Sequence, residues 1–366
     1  MPVEQVRAFA PGRVNLIGEH TDYNGGLALP FAIADGITVS ARAIATAAFG
    51  PHGGAHVEAV ACDLGERDEF RVGDPPGGGG HSGGGWRAFV RGAAGELARG
   101  GWALPSAEVR FGGDVPPGAG LSSSAALEVA LCLALLELAP EPRPERPDAI
   151  SLARLCARVE NDWVGAQTGL LDQLASLCGE PDRAVLIDFR GPTVRMVPLR
   201  LDAWRLVVLD SGERHELASS GYNTRRAECA RARELLGVEN LSEADEDALP
   251  GLPLPLRRRA AHVLGEDARV RAAVASLERG ELQPLGELLN ASHESLRDLY
   301  EVSTPNVDAA VALLREQGAS GARMIGGGFG GSVLGLFAPG VEPPHGTREV
   351  RPSAGARVLE VSRGEG

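Results

Sequence analysis

Apolar positions along the chain follow two rhythms, and the points where each stops mark the elements. From "AFAPGRVNLIGEH" at Ala8 to His20, and again through "GGLALPFAIADGITVSARAI" up to Ile44, short alternating stretches predict strands joined by turns. A helix is predicted from Arg87 to Arg99 and a strand from Ala107 to Phe111. The run from Ala125 to Ala139 is apolar all round except for Glu128 and Glu137, which predicts a core helix. "APEPRPERPD" ends it, because proline has no amide to donate and restricts the residue before it. In "ISLARLCARVENDW", Leu152, Leu155, Cys156 and Val159 fall on one helical face. Strands are predicted at "AVLIDF" and "RLVVLDS", a polar helical tract from Arg225 to Leu236, and an arginine-rich helix after Leu256. "GARMIGGGFGGSVLGLF" reads as strand, glycine turn, strand, and "GDPPGGGGHSGGGW" from Gly73 to Trp86 as a mobile surface loop. There is no internal repeat. The order is mixed α/β or α+β, without a regular βαβ alternation.

Composition narrows the function classes. A chain of 366 residues with 43% hydrophobic content supports two domains or one large one. The net charge of −13 argues against general attraction to nucleic acid or an anionic membrane. The apolar run at Ala125 is shorter than the roughly 20 residues of a bilayer span. The start of the chain has no apolar run of signal-peptide length, and none of the five cysteines forms a CxxC pair, so a reduced, cytoplasmic monomer is expected. The chain has no lysine, and its 36 basic residues are all arginine. Schiff-base chemistry and a Walker-type lysine are thereby excluded, leaving arginine or a metal as the working cation.

The candidate chemistry begins at "GDVPPGAGLSSSAALEVALCLALLELA", residues 113 to 139. Glycines allow close backbone approach to an anion, and the N-terminus of the following helix offers unpaired N–H groups and a positive dipole end. Ser122, Ser123 and Ser124 can donate to phosphate, ligate Mg²⁺ or merely cap the helix, and the segment alone leaves these open. "APGRVNLIGEHTDYNGG", residues 10 to 26, crowds Arg13, Glu19, His20, Asp22 and Asn24 beside apolar Val14, Leu16 and Ile17, a costly composition for a surface loop. "GGGFGG", Gly326 to Gly331, is either a ligand contact or plain architecture.

In this order the three segments resemble the motifs of the galactokinase, homoserine kinase, mevalonate kinase and phosphomevalonate kinase (GHMP) superfamily, and the first is similar to the galactokinase signature. "GLLDQ" (Gly169 to Gln173), "SGYNTRRAEC" (Ser220 to Cys229) and "SHESLRDLYEVSTP" (Ser292 to Pro305) extend the resemblance over nearly the whole chain. It implies a two-lobed α+β kinase, divided near residue 180 into lobes 1–180 and 181–366, with nucleotide and sugar in the cleft between them. The implied reaction moves the ATP γ-phosphoryl group to the anomeric hydroxyl of α-D-galactose. Asp172 would accept the anomeric proton, with Arg13 beside it. Glu19, His20, Thr21, Asp22, Gly169 and Tyr222 would bind the sugar. Gly118, Ala119, Gly120, Leu121, Ser122, Ser123 and Ser124 would cradle the phosphates, Trp86 would border the adenine, and Ser124 with Glu160 would hold Mg²⁺. A kinase for N-acetylgalactosamine, arabinose or galacturonate, and a non-catalytic sugar and ATP sensor, are the alternatives.

Overall fold

The computed structural model describes residues 2–44, 54–74, 84–115, 120–213 and 220–364. Most of the glycine-rich stretch predicted as a mobile loop, and Gly118 and Ala119, lie outside them.

The first half of the chain runs β1 (Val3–Asn15), β2 (Leu27–Ala28), β3 (Pro30–Ala43), β4 (His56–Ala61), β5 (Glu66–Arg71), α1 (Trp86–Arg99), β6 (Ala107–Gly113), α2 (Ser123–Leu138), α3 (Ala149–Arg158) and α4 (Leu171–Cys178). The second runs β7 (Arg183–Asp188), β8 (Thr193–Pro198), β9 (Arg205–Asp210), α5 (Ser220–Leu236), α6 (Leu256–Glu278), α7 (Gln283–Ser295), α8 (Pro305–Glu316), β10 (Gly321–Met324), β11 (Ser332–Phe337), β12 (Arg348–Val350) and β13 (Arg357–Arg363). Three sheets result, with orders β13-β1-β3-β6-β4-β5, β10-β11-β9-β12 and β2-β7-β8. Helices and mainly antiparallel sheets follow one another without a regular βαβ alternation, which is an α+β arrangement.

Alternation in β1 buries Val6, Ala8 and Ala10 on one face, where α2 packs. The α2 helix is apolar on every side because the sheet, α1, α3 and α4 surround it. A division at residue 180 does not match the sheets. β13 returns from the far end of the chain to pair antiparallel with β1, from Val3↔Arg363 to Phe9↔Arg357, and β2 pairs with β7. Otherwise the outer edge of β1 would present a row of unpaired backbone groups. The helix read through "ISLARLCARVENDW" keeps α geometry only to Arg158. It then widens into a π-helical turn, Val159–Val164, which carries Glu160. All five cysteines are free thiols, three of them buried. Among the described residues, no helix is long and apolar enough to cross a membrane.

The loop between β1 and β2 is fixed from the other half of the chain by α6. Glu266 accepts from the Gly18 amide at 3.0 Å and from Ser292 Oγ at 2.7 Å, and pairs with Arg269 at 2.7 Å. Asp267 accepts from the Leu27 amide at 2.8 Å, closing the other end of the loop. Burial alone would raise the proton affinity of Glu266, but Arg269 and the other charges and donors around it pull its pKa down to about 2. Burial holds nearby His262 at about 4.

Both groups bind protons more readily in the unfolded chain, so each contributes stability that is lost on acidification. The contribution of His262 is lost from pH 6.5 towards 4, and that of Glu266 from about 4.5 towards 2. Urea titrations at stepped pH should show stability falling across both ranges. Glu266→Gln should flatten the lower one, while Glu266→Ala, which leaves the buried Gly18 amide and Ser292 hydroxyl without an acceptor and half-buried Arg269 without its partner, should cost about 3–5 kcal/mol near neutrality.

Candidate active site

β1 delivers the first functional side chain through an irregularity in its own pairing. The register with β3 shifts between Pro11 and Arg13, and such bulges re-aim the side chains that follow them. A side chain at Gly12 would place Cβ 2.5 Å from the Leu121 carbonyl oxygen, so only glycine allows the two backbones to approach. The Arg13 amide donates to that same oxygen at 3.0 Å. The Arg13 guanidinium then donates from Nε to Asp172 Oδ1 and from Nη2 to Oδ2, both at 2.7 Å, and from Nη1 to the Gly120 carbonyl at 2.6 Å. Burial opposes its charge, but Asp172 and Glu19 outweigh that and raise its pKa.

Ser122 resolves one of the open readings. It immediately precedes α2, but its side chain caps nothing in the helix; Oγ donates to Asp172 Oδ2 at 2.6 Å. Its φ of 62° lies in the left-handed region, a conformation that costs a non-glycine residue about 1 kcal/mol or more. Ser123 and Ser124 open the helix, and Leu121 anchors the loop in the core with Val14, Ile17 and Ile325. Among the described residues no side chain caps the first amides of α2, which leaves them as anion donors.

Arg13, Glu19, His20, Asp22, Gly169, Asp172 and Tyr222 line one cleft together with Gln167, Thr168, Leu171 and the glycine turn from Gly326 to Phe329. Glu19 is 5% exposed and accepts from the Gly326 amide at 2.8 Å, with buried Arg323 at 3.4 Å. Burial raises its pKa, while Arg323 and Arg13 work against the rise. Asp22 sits half-buried near Asp172, and desolvation with that like charge lifts its pKa to about 6 despite Arg226. A Cβ on Gly169 would lie 1.9 Å from Asp22 Oδ2. His20, also at a φ of 62°, is buried, and its Nε2 has no hydrogen-bond partner among the described residues.

Thr21 and Trp86 do not join this group. The Thr21 hydroxyl is held by the Gly18 and Leu27 carbonyls at 2.9 and 2.8 Å, so it closes the turn that presents its neighbours. Trp86 packs edge-on against Phe111 and donates to Glu66 at 2.8 Å. Arg323, Gln167 and Thr168 escaped the sequence reading. Arg323 lies in a strand whose pattern signals only burial, and the other two sit in an irregular link after the π-helical turn.

Glu160 is 2% exposed and hydrogen-bonds to Ser124, Thr168 Oγ1 and Gln173 Nε2, the last at 3.0 Å. It forms no ion pair among the described residues. Burial and the charge of Asp172 raise its pKa. Behind it, buried Glu128 accepts from Gln173 at 3.3 Å, and its Oε1 has no partner among the described residues. A hydroxyl and a carboxylate in a place with surplus negative charge suit a hard divalent cation that takes its remaining ligands from water and phosphate.

Residues 2–43 match a model of the galactokinase galactose-binding signature, 88–180 the GHMP kinase N-terminal domain and 273–354 the GHMP kinase C-terminal domain. A galactokinase of Thermotoga petrophila is 38% identical over 92% of this chain and 90% of its own. One from Streptomyces coelicolor is 40% identical over 96% and 93%. The crystal structure of Lactococcus lactis galactokinase complexed with galactose superimposes with a TM-score of 0.83 at 29% identity, covering 97% of this chain and 95% of that one. Mevalonate kinase of Methanococcus jannaschii shares the fold, with a TM-score of 0.66 at 16% identity over 96% of this chain and 99% of its own. Fold and cleft together define an ATP-dependent small-molecule kinase of the GHMP type. Within that class, the chain belongs to the galactokinase family.

Gly169→Ala should displace the Asp22 carboxylate and lower kcat/KM for the sugar by about 100-fold, the scale of a small misplacement in a site of this kind. Thermal melting should stay within a few degrees of wild type. Because Asp22 gains its proton as pH falls through about 6, sugar affinity measured by calorimetry should weaken below that pH.

Proposed function

We propose that the cleft joins ATP and α-D-galactose by direct transfer, with Asp172 taking the proton of the anomeric hydroxyl as that oxygen bonds to the γ-phosphorus and ADP departs. The observation that carries this reading is the position of Asp172, clamped by Arg13 and touched by Ser122 where the phosphate loop enters α2. Oδ1 accepts from Arg13 Nε on one side and keeps acceptor capacity for the sugar hydroxyl. Arg13 is the only cationic side chain among the described residues lining the cleft, and with the amides of α2 it stabilises charge on the transferring group.

Ser124 and Glu160 are the residues that would hold Mg²⁺, which supplies charge neutralisation of the phosphates when bound. The backbone from Gly120 to Ser124, whose first helical amides open α2, would hold the phosphates. Glu19, His20, Asp22 and Tyr222 face the sugar. Glu19 and Asp22 accept from its hydroxyls and oppose a sugar acid such as galacturonate, whose carboxylate would meet two like charges. Glu19 has a second task, since its contacts to Gly326 and Arg323 bind the first motif to the third. A reducing, cytoplasmic setting is the one that the free thiols favour.

Asp172→Asn should cut turnover by about 10²–10⁴ while galactose still binds by calorimetry. Near wild-type turnover would refute the role of Asp172. A panel of galactose, N-acetylgalactosamine, arabinose and galacturonate in an ADP-release assay should rank galactose first, and any other order would refute the substrate assignment.

A further inference from the structure

The chain has only three tyrosines, Tyr23, Tyr222 and Tyr300, and all of them surround one histidine. Their ring centroids lie 5.9, 5.6 and 4.5 Å from that of His20. Two of the three are linked to it in a chain of hydroxyls. His20 Nδ1 is 2.7 Å from the Tyr23 hydroxyl, which is 2.9 Å from that of Tyr300, which in turn is 3.0 Å from Cys229 Sγ. Tyr300 is fully buried and belongs to a second π-helical turn, Leu296–Tyr300, at the end of α7. The other ring nitrogen, Nε2, has no partner among the described residues although His20 is only 4% exposed and lines the sugar cleft.

A neutral imidazole carries one N–H, and what binds Nδ1 decides what Nε2 can do. His20 is neutral here: burial, helped by the charges around it, pushes its pKa well below 6.5. A phenol is a stronger acid than a neutral imidazole N–H, so the favoured bond is O–H to Nδ1. Arg226 strengthens this choice. Its guanidinium lies over the Tyr23 ring at 4.7 Å, draws on the π-electrons and makes the hydroxyl a better donor. The Tyr23 oxygen is then free to accept from Tyr300, and Tyr300 from the Cys229 thiol, so every proton in the chain points towards His20. The Asn24 side chain donates to the His20 carbonyl at 2.7 Å and holds the residue in its left-handed conformation.

We propose that Tyr23 and Tyr300 are positioning residues that fix His20 as its Nε2–H tautomer, giving the cleft one neutral hydrogen-bond donor for a sugar hydroxyl oxygen. The inference rests on the reading that this cleft takes galactose. It also explains a chemical need of that site. Glu19 and Asp22 can only accept from hydroxyl groups when ionised, so a donor is required to complete the pattern of an alcohol that both gives and receives. A neutral donor does so without adding a charge that would bind the two carboxylates in place of the substrate.

The test uses the full chain labelled with ¹⁵N-histidine, with the His20 signals assigned by their loss in His20→Gln. The wild-type spectrum should show Nε2 protonated and Nδ1 bare, and the opposite pattern overturns the proposal. Tyr23→Phe should move both nitrogen signals towards averaged positions and weaken galactose binding about tenfold, with Mg·ATP affinity unchanged. Tyr300→Phe should do the same to a lesser degree, and it stands in if the first variant fails to fold. Unchanged tautomer signals in a folded variant overturn the proposal, even if affinity falls. If the wild-type protein holds the Nε2–H tautomer but does not bind galactose, the substrate reading fails and the proposed role in sugar recognition fails with it.

Discussion

Arg13 and Asp172 form the bond on which the site depends. They lie 159 residues apart and meet through two parallel hydrogen bonds, in a place where the arginine side chain is 8% exposed. Burying a guanidinium is costly, and only close pairing with good geometry offsets the lost hydration. That requirement fixes more than two side chains. The third arm of Arg13 holds Gly120, its amide holds Leu121, and Ser122 reaches Asp172 from the same loop. The first strand, the loop before α2 and α4 are therefore set relative to one another by one residue. If the arginine is lost, Asp172 keeps only Ser122 as a side-chain hydrogen-bond partner among the described residues.

The second constraint is an excess of negative charge. Glu19, Asp22 and Asp172 line the cleft, with Glu160 buried behind cleft-lining Thr168 and Glu128 beyond it. Arg13 and Arg323 are the cations nearest to Glu19, while Glu160 has hydrogen bonds but no ion pair. The raised pKa values of Asp22 and Glu160 are the signature of that imbalance, since burial and like charge both favour the protonated form. Such an arrangement persists because the frame around it is rigid. On the far side of the signature loop, Glu266 is fully compensated and pKa-depressed, and it bears the structural load that the cleft carboxylates cannot.

Much of this was legible in the sequence, for reasons that differ by residue. The buried α2 helix follows from its uninterrupted apolar run, and the strand–turn–strand at Gly326 from its glycines between β-branched and aliphatic stretches. Arg13, Asp172 and Ser122 to Ser124 carried motif spacing, although spacing could not show that Ser122 turns away from the helix to meet Asp172. Thr21 shares its string with the cleft-lining Glu19, His20 and Asp22 but spends its hydroxyl on the turn, which only the folded structure reveals. The π-helical turn at Glu160 was invisible because its extra residue changes no local apolar period. Arg323 and Tyr300 act from elements whose patterns signal only burial, so their neighbours in space could not be deduced from their neighbours in sequence.

The pairing of β13 with β1 gives the molecule a history as well as a shape. A ribosome releases β1 first, and its inner edge can find β3 after a short wait. Its outer edge has no partner until residues more than 350 positions later appear, as the register Val3↔Arg363 requires. While the residues between them are made, the nascent chain thus carries an open strand edge, the kind of surface that invites mispairing and chaperone attention. β13 acts as a late seal on that edge.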